Sequence, residues 1–199
     1  MLKPRKPAES DNLIVGIVLA GGAGRRVGGL DKGLVNYQGR PLISWVIDAL
    51  EPQTDDLLIS INRNAKSYSQ FGYQLVTDPL GHRGYQGPLA GIVASFAASP
   101  QGLDANYLIS SCDTPDLPPF YVSQLNEELS ANGLDAAVVH DGERRQNLHC
   151  LISGLAMPSL TEFFNSGGRA MHQWLDENNT GDVDFSDRAD CFSNLNVVP

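Results

Sequence analysis

An α/β fold, with a mostly parallel sheet and helices on both of its faces, is predicted by three features of the 199-residue chain. Short apolar runs alternate with segments of helical periodicity along most of its length, the pattern of a parallel sheet wrapped by helices. The first run, Ile14–Leu19, is rich in Ile and Val without polar alternation, so it reads as a strand buried on both faces. That run ends in a glycine-rich stretch, giving VGIVLAGGAGRRVGGLDKG at 15–33. Ligands of such sheets sit beyond the carboxyl ends of the strands. Leu19 with its loop, Asp78 and Asp113 all fall just past a strand end, so the pattern gathers them in one crevice.

The elements follow in order. Residues 34–37 are extended and Gly39–Pro41 turn the chain. Leu42, Ile43, Val46, Ile47 and Leu50 have helical spacing with one buried face. Strands are predicted at 57–61 and 73–76, with a short helix at 65–71 between them. Residues 79–86, rich in Gly and charge, read as a mobile loop. Pro88 opens a helix to about Ala98, since Pro suits the first helical turn. A strand at 106–110 precedes SCDTP, and a helix spans 119–129. Strands at 136–139 and 149–152 flank the charged bend DGERRQ. Helices at 157–165 and 169–177 and extended pieces at 183–185 and 192–195 complete the chain.

Glycine lacks a Cβ, so loop N–H groups can approach a phosphate chain closely. Arg25, Arg26 and Lys32 lie in or at the end of the loop, in a chain of net charge -9. Cations concentrated against an acidic background mark a local anion site. Two familiar phosphate loops do not fit. Asp31 precedes Lys32 and Gly33 follows it, unlike a P-loop, and Val27 stands where the dinucleotide fingerprint needs its third glycine. A plain glycine turn is the alternative reading.

Composition removes several classes. An isoelectric point near 4.7 argues against non-specific nucleic-acid binding, and no apolar run approaches a membrane span. The first 12 residues are polar and contain Pro4 and Pro7; they read as a disordered lead-in without a signal peptide's apolar centre, so a cytoplasmic protein is expected. Cys112, Cys150 and Cys191, far apart and odd in number, suggest neither a disulfide framework nor a zinc site. His82, His140, His149 and His172 lack metal spacing, and a solvated or locally hydrogen-bonded role is expected for each. Residue type alone leaves Asp113 two roles, an N-cap for the turn at Thr114–Pro115 or a magnesium ligand. Asp78 reads equally as a turn residue before Pro79. Asn194 and Asn196 flank Leu195, so in an extended segment both would point to one face, with Leu195 toward the core.

LAGGAGRRVGGLDK at 19–32 resembles the signature loop of nucleoside-triphosphate transferases with a Rossmann-like fold, with Val27 in place of the signature's Met. GRPLI at 39–43, GPLAG at 87–91, CDTP at 112–115, HDGER at 140–144, DFSD at 184–187 and NLN at 194–196 narrow the resemblance to the molybdenum cofactor guanylyltransferases, the MobA family. The similarity runs from about Ile14 to Asn196. It implies a Rossmann-like three-layer fold, with one nucleotidyltransferase domain over 13–199. The implied reaction moves GMP from GTP to molybdenum-bound molybdopterin and releases pyrophosphate, with Mg2+. Lys32, Asp113 and Arg26 would be catalytic, with Asp113 on the metal. Leu19, Ala20, Gly21, Gly22, Arg26, Lys32, Ser60, Asp78, Gly87, Pro88, Leu89 and Asp113 would meet the nucleotide. Ser60 stands where the family often has Asn, and Asn62 is a substitute for it. Asn194, Asn196 and Arg144 or Arg145 would hold the acceptor. Other proteins of molybdenum cofactor synthesis and recipient molybdoenzymes are the implied partners, with no nucleic acid and no membrane, for a monomer in the cytoplasm. The alternatives are CTP as donor, a sugar phosphate as acceptor, or a nucleotide-binding regulator without turnover; retention of both Lys32 and Asp113 argues against the last.

Overall fold

The apolar run that opens the sequence becomes the centre of the sheet. The computed structural model describes residues 13–21, 31–77 and 87–195. The expected lead-in over 1–12 and the expected loop over 79–86 lie outside them. β1 (Leu13–Leu19) is buried from Ile14 to Val18, as its unbroken apolar run requires. A 3-10 turn at Lys32–Leu34 leads into β2 (Asn36–Tyr37) and β3 (Arg40–Pro41), a small separate ribbon turned by Gln38 and Gly39 at φ of 51° and 90°. The extended piece predicted from residue 34 is thus shortened by the turn. α1 (Leu42–Leu50) buries the predicted face of Leu42, Ile43, Val46, Ile47 and Leu50, each burial contributing ~1.5–3 kcal/mol. β4 (Asp56–Ile61), α2 (Ala65–Tyr68), β5 (Gln74–Thr77), α3 (Pro88–Ala98) and β6 (Ala105–Ser111) then follow close to their predicted positions.

Later boundaries depart from the periodicity, and particular side chains account for it. α4 (Tyr121–Asn132) starts after Phe120 rather than at Pro119. The Gln53 amide oxygen accepts the Val122 N–H at 3.1 Å and so caps a free donor at the helix start. β7 (Ala136–His140) turns into β8 (Arg145–Ile152), which begins well before the predicted His149. The bend needs only 141–144, because the Asp141 carboxylate accepts the N–H groups of Glu143 and Arg144 and Gly142 takes φ of 94°. After α5 (Met157–Asn165), α6 (Met171–Glu177) begins later than the predicted Arg169. The Arg169 guanidinium instead donates to the carbonyls of Phe164 and Gly168, at 2.8 and 2.6 Å. β9 (Thr180–Asp184) stops before Phe185, and Phe192 closes a 3-10 run over Ser186–Phe192 rather than an extended piece. Asp184 accepts the Ser186 N–H at 2.8 Å and starts that turn, which buries Phe185 against Phe192 with ring centroids 5.0 Å apart.

The sheet has the order β5-β4-β1-β6-β8-β7-β9. Pairing is parallel from β5 to β6 and between β7 and β9, while β8 runs antiparallel to both its neighbours. One apolar cluster joins the sheet to α1 and α4, and a second joins its other face to α3, α5 and α6. This is the predicted mostly parallel sheet with helices on both faces. Among the described residues no helix is long and apolar enough to cross a membrane.

Candidate active site

The glycine loop leaves the sheet between two neighbouring strand ends. Leu19 pairs with Ser60 of β4 and Ser111 of β6. Beyond it, the Ala20 N–H donates to the Ser60 carbonyl at 2.8 Å, and the Cys112 N–H donates to the Leu19 carbonyl at 3.1 Å. The loop's first residues are therefore held from both sides. The Asn62 amide donates to the Gly21 carbonyl at 2.6 Å, and a Cβ on Gly21 would stand 3.0 Å from that nitrogen. Only glycine permits this approach without a shift. Ser60 is buried at 3% exposure, its side chain packed against Gly91 of α3. Of the two residues weighed for this strand end, Asn62 reaches the loop and Ser60 faces the joint between helix and sheet. The same joint sets the start of α3 beside Leu19. Gly87 precedes that helix at φ of 82°, Pro88 opens it, and Leu89 is buried in the core. Gly22, Arg25, Arg26, Asp78, His82 and Asn196 lie outside the described residues.

Lys32 and Asp113, 81 positions apart in sequence, meet at this edge: Lys32 Nζ lies 2.6 Å from Asp113 Oδ2. The Ser111 hydroxyl donates to the other carboxylate oxygen. The contact is charge-assisted and mostly sheltered, with side-chain exposures of 24% and 11%. Asp113 thus spends its oxygens on the lysine and the serine, while Thr114 closes the turn through its hydroxyl, 3.1 Å from the Ser111 carbonyl. Asp31, the residue before Lys32, accepts hydrogen bonds from Tyr68 Oη at 2.5 Å and Asn64 Nδ2 at 3.0 Å, with Arg63 Nε at 3.8 Å. Neither Ser111 nor this network is singled out by the sequence reasoning. An acidic residue directly before the lysine is the signal that could have pointed to it.

A second group converges on the same strand end. The Leu195 N–H donates to the Asp113 carbonyl at 2.8 Å, which brings Asn194 beside it. Asn194 is exposed and Leu195 half-buried. A cleft of about 210 Å³ is lined by Ser111, Arg144, Asn147, His149 and Asn194 among others. Arg145 borders it too, with its guanidinium bound to Asp176 and Asp182 at 3.1 and 2.6 Å. His140 is locally bonded as expected, its Nδ1 accepting the Gly142 N–H at 3.1 Å. His149 departs from that expectation. It is 2% exposed, ringed by Tyr121 and Phe192, and its Nδ1 has no hydrogen-bond partner among the described residues. The long β8 carries it onto the face of the sheet covered by α4. Burial pushes its imidazole down to about 4, against the opposing pull of Asp113, so it is neutral at pH 7.

The chemistry open to this edge is narrow. Cys112 and Cys150 are free but buried, and burial pushes both thiols well up, away from a nucleophilic thiolate. Among the described residues no cluster of three or more His, Cys, Asp or Glu gathers for a metal. One sheltered carboxylate beside a hydroxyl fits a hard divalent cation that takes its remaining ligands from phosphate and water. An ammonium group and loop N–H groups suit phosphate oxygens.

The chain is similar to known proteins in both sequence and fold. The family model of the MobA-like NTP transferase domain matches residues 16–181. A molybdenum cofactor guanylyltransferase of Shewanella sediminis (strain HAW-EB3) is 38% identical over 182 residues, 91% of this chain and 90% of that protein. One from Shewanella putrefaciens (strain CN-32 / ATCC BAA-453) is 36% identical over 183 residues, covering 92% and 91% of the two chains. Among solved structures, the molybdopterin-guanine dinucleotide biosynthesis protein A of Archaeoglobus fulgidus has the same fold, with a TM-score of 0.73 at 24% identity over 93% of both chains.

Proposed function

Since the chain belongs to the MobA-like NTP transferase family, we propose that it transfers GMP from GTP to molybdenum-bound molybdopterin, releasing pyrophosphate, in the synthesis of the molybdenum cofactor. One observation carries the reading. Lys32 and Asp113 meet at the carboxyl edge of the sheet, and the cleft holding Arg144 and Asn194 opens at the same strand end. Donor and acceptor phosphates would therefore meet between them.

A phosphate oxygen of the acceptor attacks the α-phosphorus of GTP while the bond to pyrophosphate breaks. Negative charge on the phosphate oxygens is met by the Lys32 ammonium and by the backbone N–H groups of the glycine loop from Gly21 and Gly22 onward, with Leu19 and Ala20 holding the loop's start against the sheet. Nucleotidyltransferases of this kind typically use a divalent metal. Here Asp113 would hold Mg2+, which supplies positive charge to the phosphates when bound. Without substrate, Lys32 and Asp113 satisfy each other's charge, and the incoming phosphates take over the lysine. Arg26 is assigned to the leaving phosphates, and Asp78, Gly87 and Pro88 to the nucleotide. Arg144, Asn194 and Asn196 are assigned to the acceptor. No covalent enzyme intermediate is needed. The chain from residue 13 onward works as one nucleotidyltransferase domain. It acts as a monomer in the cytoplasm, alongside other cofactor-synthesis proteins and recipient molybdoenzymes.

Calorimetric titration with GTP and CTP in the presence of Mg2+ tests the nucleotide. GTP is expected to bind tighter, since a pocket that hydrogen-bonds one base edge can reject another by ~10⁴. Tighter CTP binding would move the protein to cytidylyl transfer.

A further inference from the structure

Asp31 occupies the N-cap position of the turn Lys32–Leu34, yet its side chain makes no cap bond. Asp at such a position ordinarily accepts a backbone N–H of the turn. Here the main chain does that work alone, with the Leu34 N–H donating to the Asp31 carbonyl at 3.0 Å. The carboxylate points instead to Tyr68, the last residue of α2, and to Asn64, which caps that helix in the left-handed conformation that Asn tolerates. One residue therefore ties the turn carrying Lys32 to the segment after β4.

We propose that Tyr68 is a positioning residue for the transfer reaction: through Asp31 it fixes the turn from which Lys32 reaches the phosphates. The proposal rests on the assignment of Lys32 made above. Tyr68 is fully buried, and burial together with the Asp31 bond pushes its phenol far above its ordinary value, so it stays a donor at every working pH. Its hydroxyl also packs on the other side of the turn. A Cβ on the buried Gly33 would stand 2.6 Å from Tyr68 Oη and 3.5 Å from Cys112 Sγ. Cys112 is the neighbour of Asp113, so the hydroxyl, Gly33 and the strand end carrying Asp113 are packed in sequence. Asp31's charge is answered by the tyrosine, the asparagine and the Arg63 guanidinium, while Lys32 Nζ lies 2.6 Å from Asp113. Tyr68 touches no reacting atom and acts only through where it holds Lys32.

Tyr68→Phe, Lys32→Ala and the double variant form the test, read by pyrophosphate release with GTP and molybdopterin. Tyr68→Phe deletes one buried hydroxyl bonded to a charged group and should lower kcat ~10-fold with little change in KM for GTP. In the Lys32→Ala background the same change should cost nothing further, because the lysine it positions is gone. Gly33→Ala, which presses on the hydroxyl from the far side, should repeat this pattern. A purely structural role for Tyr68 predicts equal losses in both backgrounds, and that outcome overturns the proposal. So does unchanged kcat in Tyr68→Phe when Lys32→Ala is inactive, a result that leaves Lys32's own role intact. Full turnover in Lys32→Ala would instead remove the assignment of Lys32, and the clamp with it.

Discussion

Asp113 shows what a single carboxylate can be made to do. It receives Lys32 and Ser111 on its two oxygens, and its backbone carbonyl receives Leu195. Asp113→Asn keeps the side chain's shape and removes its charge. It should lower the Mg2+-dependent rate by ~10²–10³, the usual cost of losing one preorganised charge contact, while GTP still binds weakly. The check is rate against Mg2+ concentration, and full activity at low Mg2+ would contradict the metal assignment. His149 gives a second prediction, on stability. Its imidazole titrates at about 4 in the fold against 6.5 ordinarily. Between those values the unfolded chain binds a proton that the folded chain does not, so stability falls as pH drops through this window and is fully present above it. The total is ~3 kcal/mol at 1.36 kcal/mol per pKa unit. His149→Phe keeps a ring between Tyr121 and Phe192 and should flatten that slope, as measured by urea unfolding at pH 7 and pH 4.5. An equal loss in the variant and the wild type would contradict it.

At the scale of elements, α3 and β4 meet through a pair of small residues. Glycine inside a helix ordinarily costs ~1 kcal/mol relative to alanine. At Gly91 a Cβ would fall inside the contact distance of Ser60 Oγ. Gly91→Ala is therefore expected to destabilise by ~1–3 kcal/mol, as overpacking does, and Ser60→Ala should restore most of the loss. Thermal unfolding of the two single variants and the double decides it, and a stabilised Gly91→Ala would contradict the packing described. This joint also shows what was legible in the sequence. The apolar runs and helical spacings place nearly every strand and helix, because burial of one face dominates at that scale. They do not place the ends. Those are set by individual polar side chains, namely Gln53 at α4, Asp141 at the β7–β8 turn, Arg169 before α6 and Asp184 after β9. Periodicity carries no information about such bonds.

For the molecule as a whole, the sheet's order turns distant residues into neighbours. Parallel pairing of β4, β1 and β6 aligns three carboxyl ends, so Lys32 and Asp113 could be placed together from the sequence. The antiparallel β8 and the bend before it are what add Arg144, Asn147 and His149 to that edge, and reversal of one strand within an otherwise parallel pattern leaves little trace in composition. Nor does strand pattern alone say that Ser60 packs on α3 while Asn62 reaches the loop, since Ser60 is still inside β4 and Asn62 lies just past its end, where alternation no longer sets the direction. In the proposed reaction this edge joins the α-phosphate of GTP to the phosphate of molybdopterin. That reaction is tested most directly by turnover of GTP labelled at its α-phosphate in the presence of Mg2+ and molybdopterin. The label is expected in a molybdopterin guanine dinucleotide, with one unlabelled pyrophosphate released for each dinucleotide formed. Label recovered as free GMP, or a dinucleotide formed faster from CTP than from GTP, would contradict it.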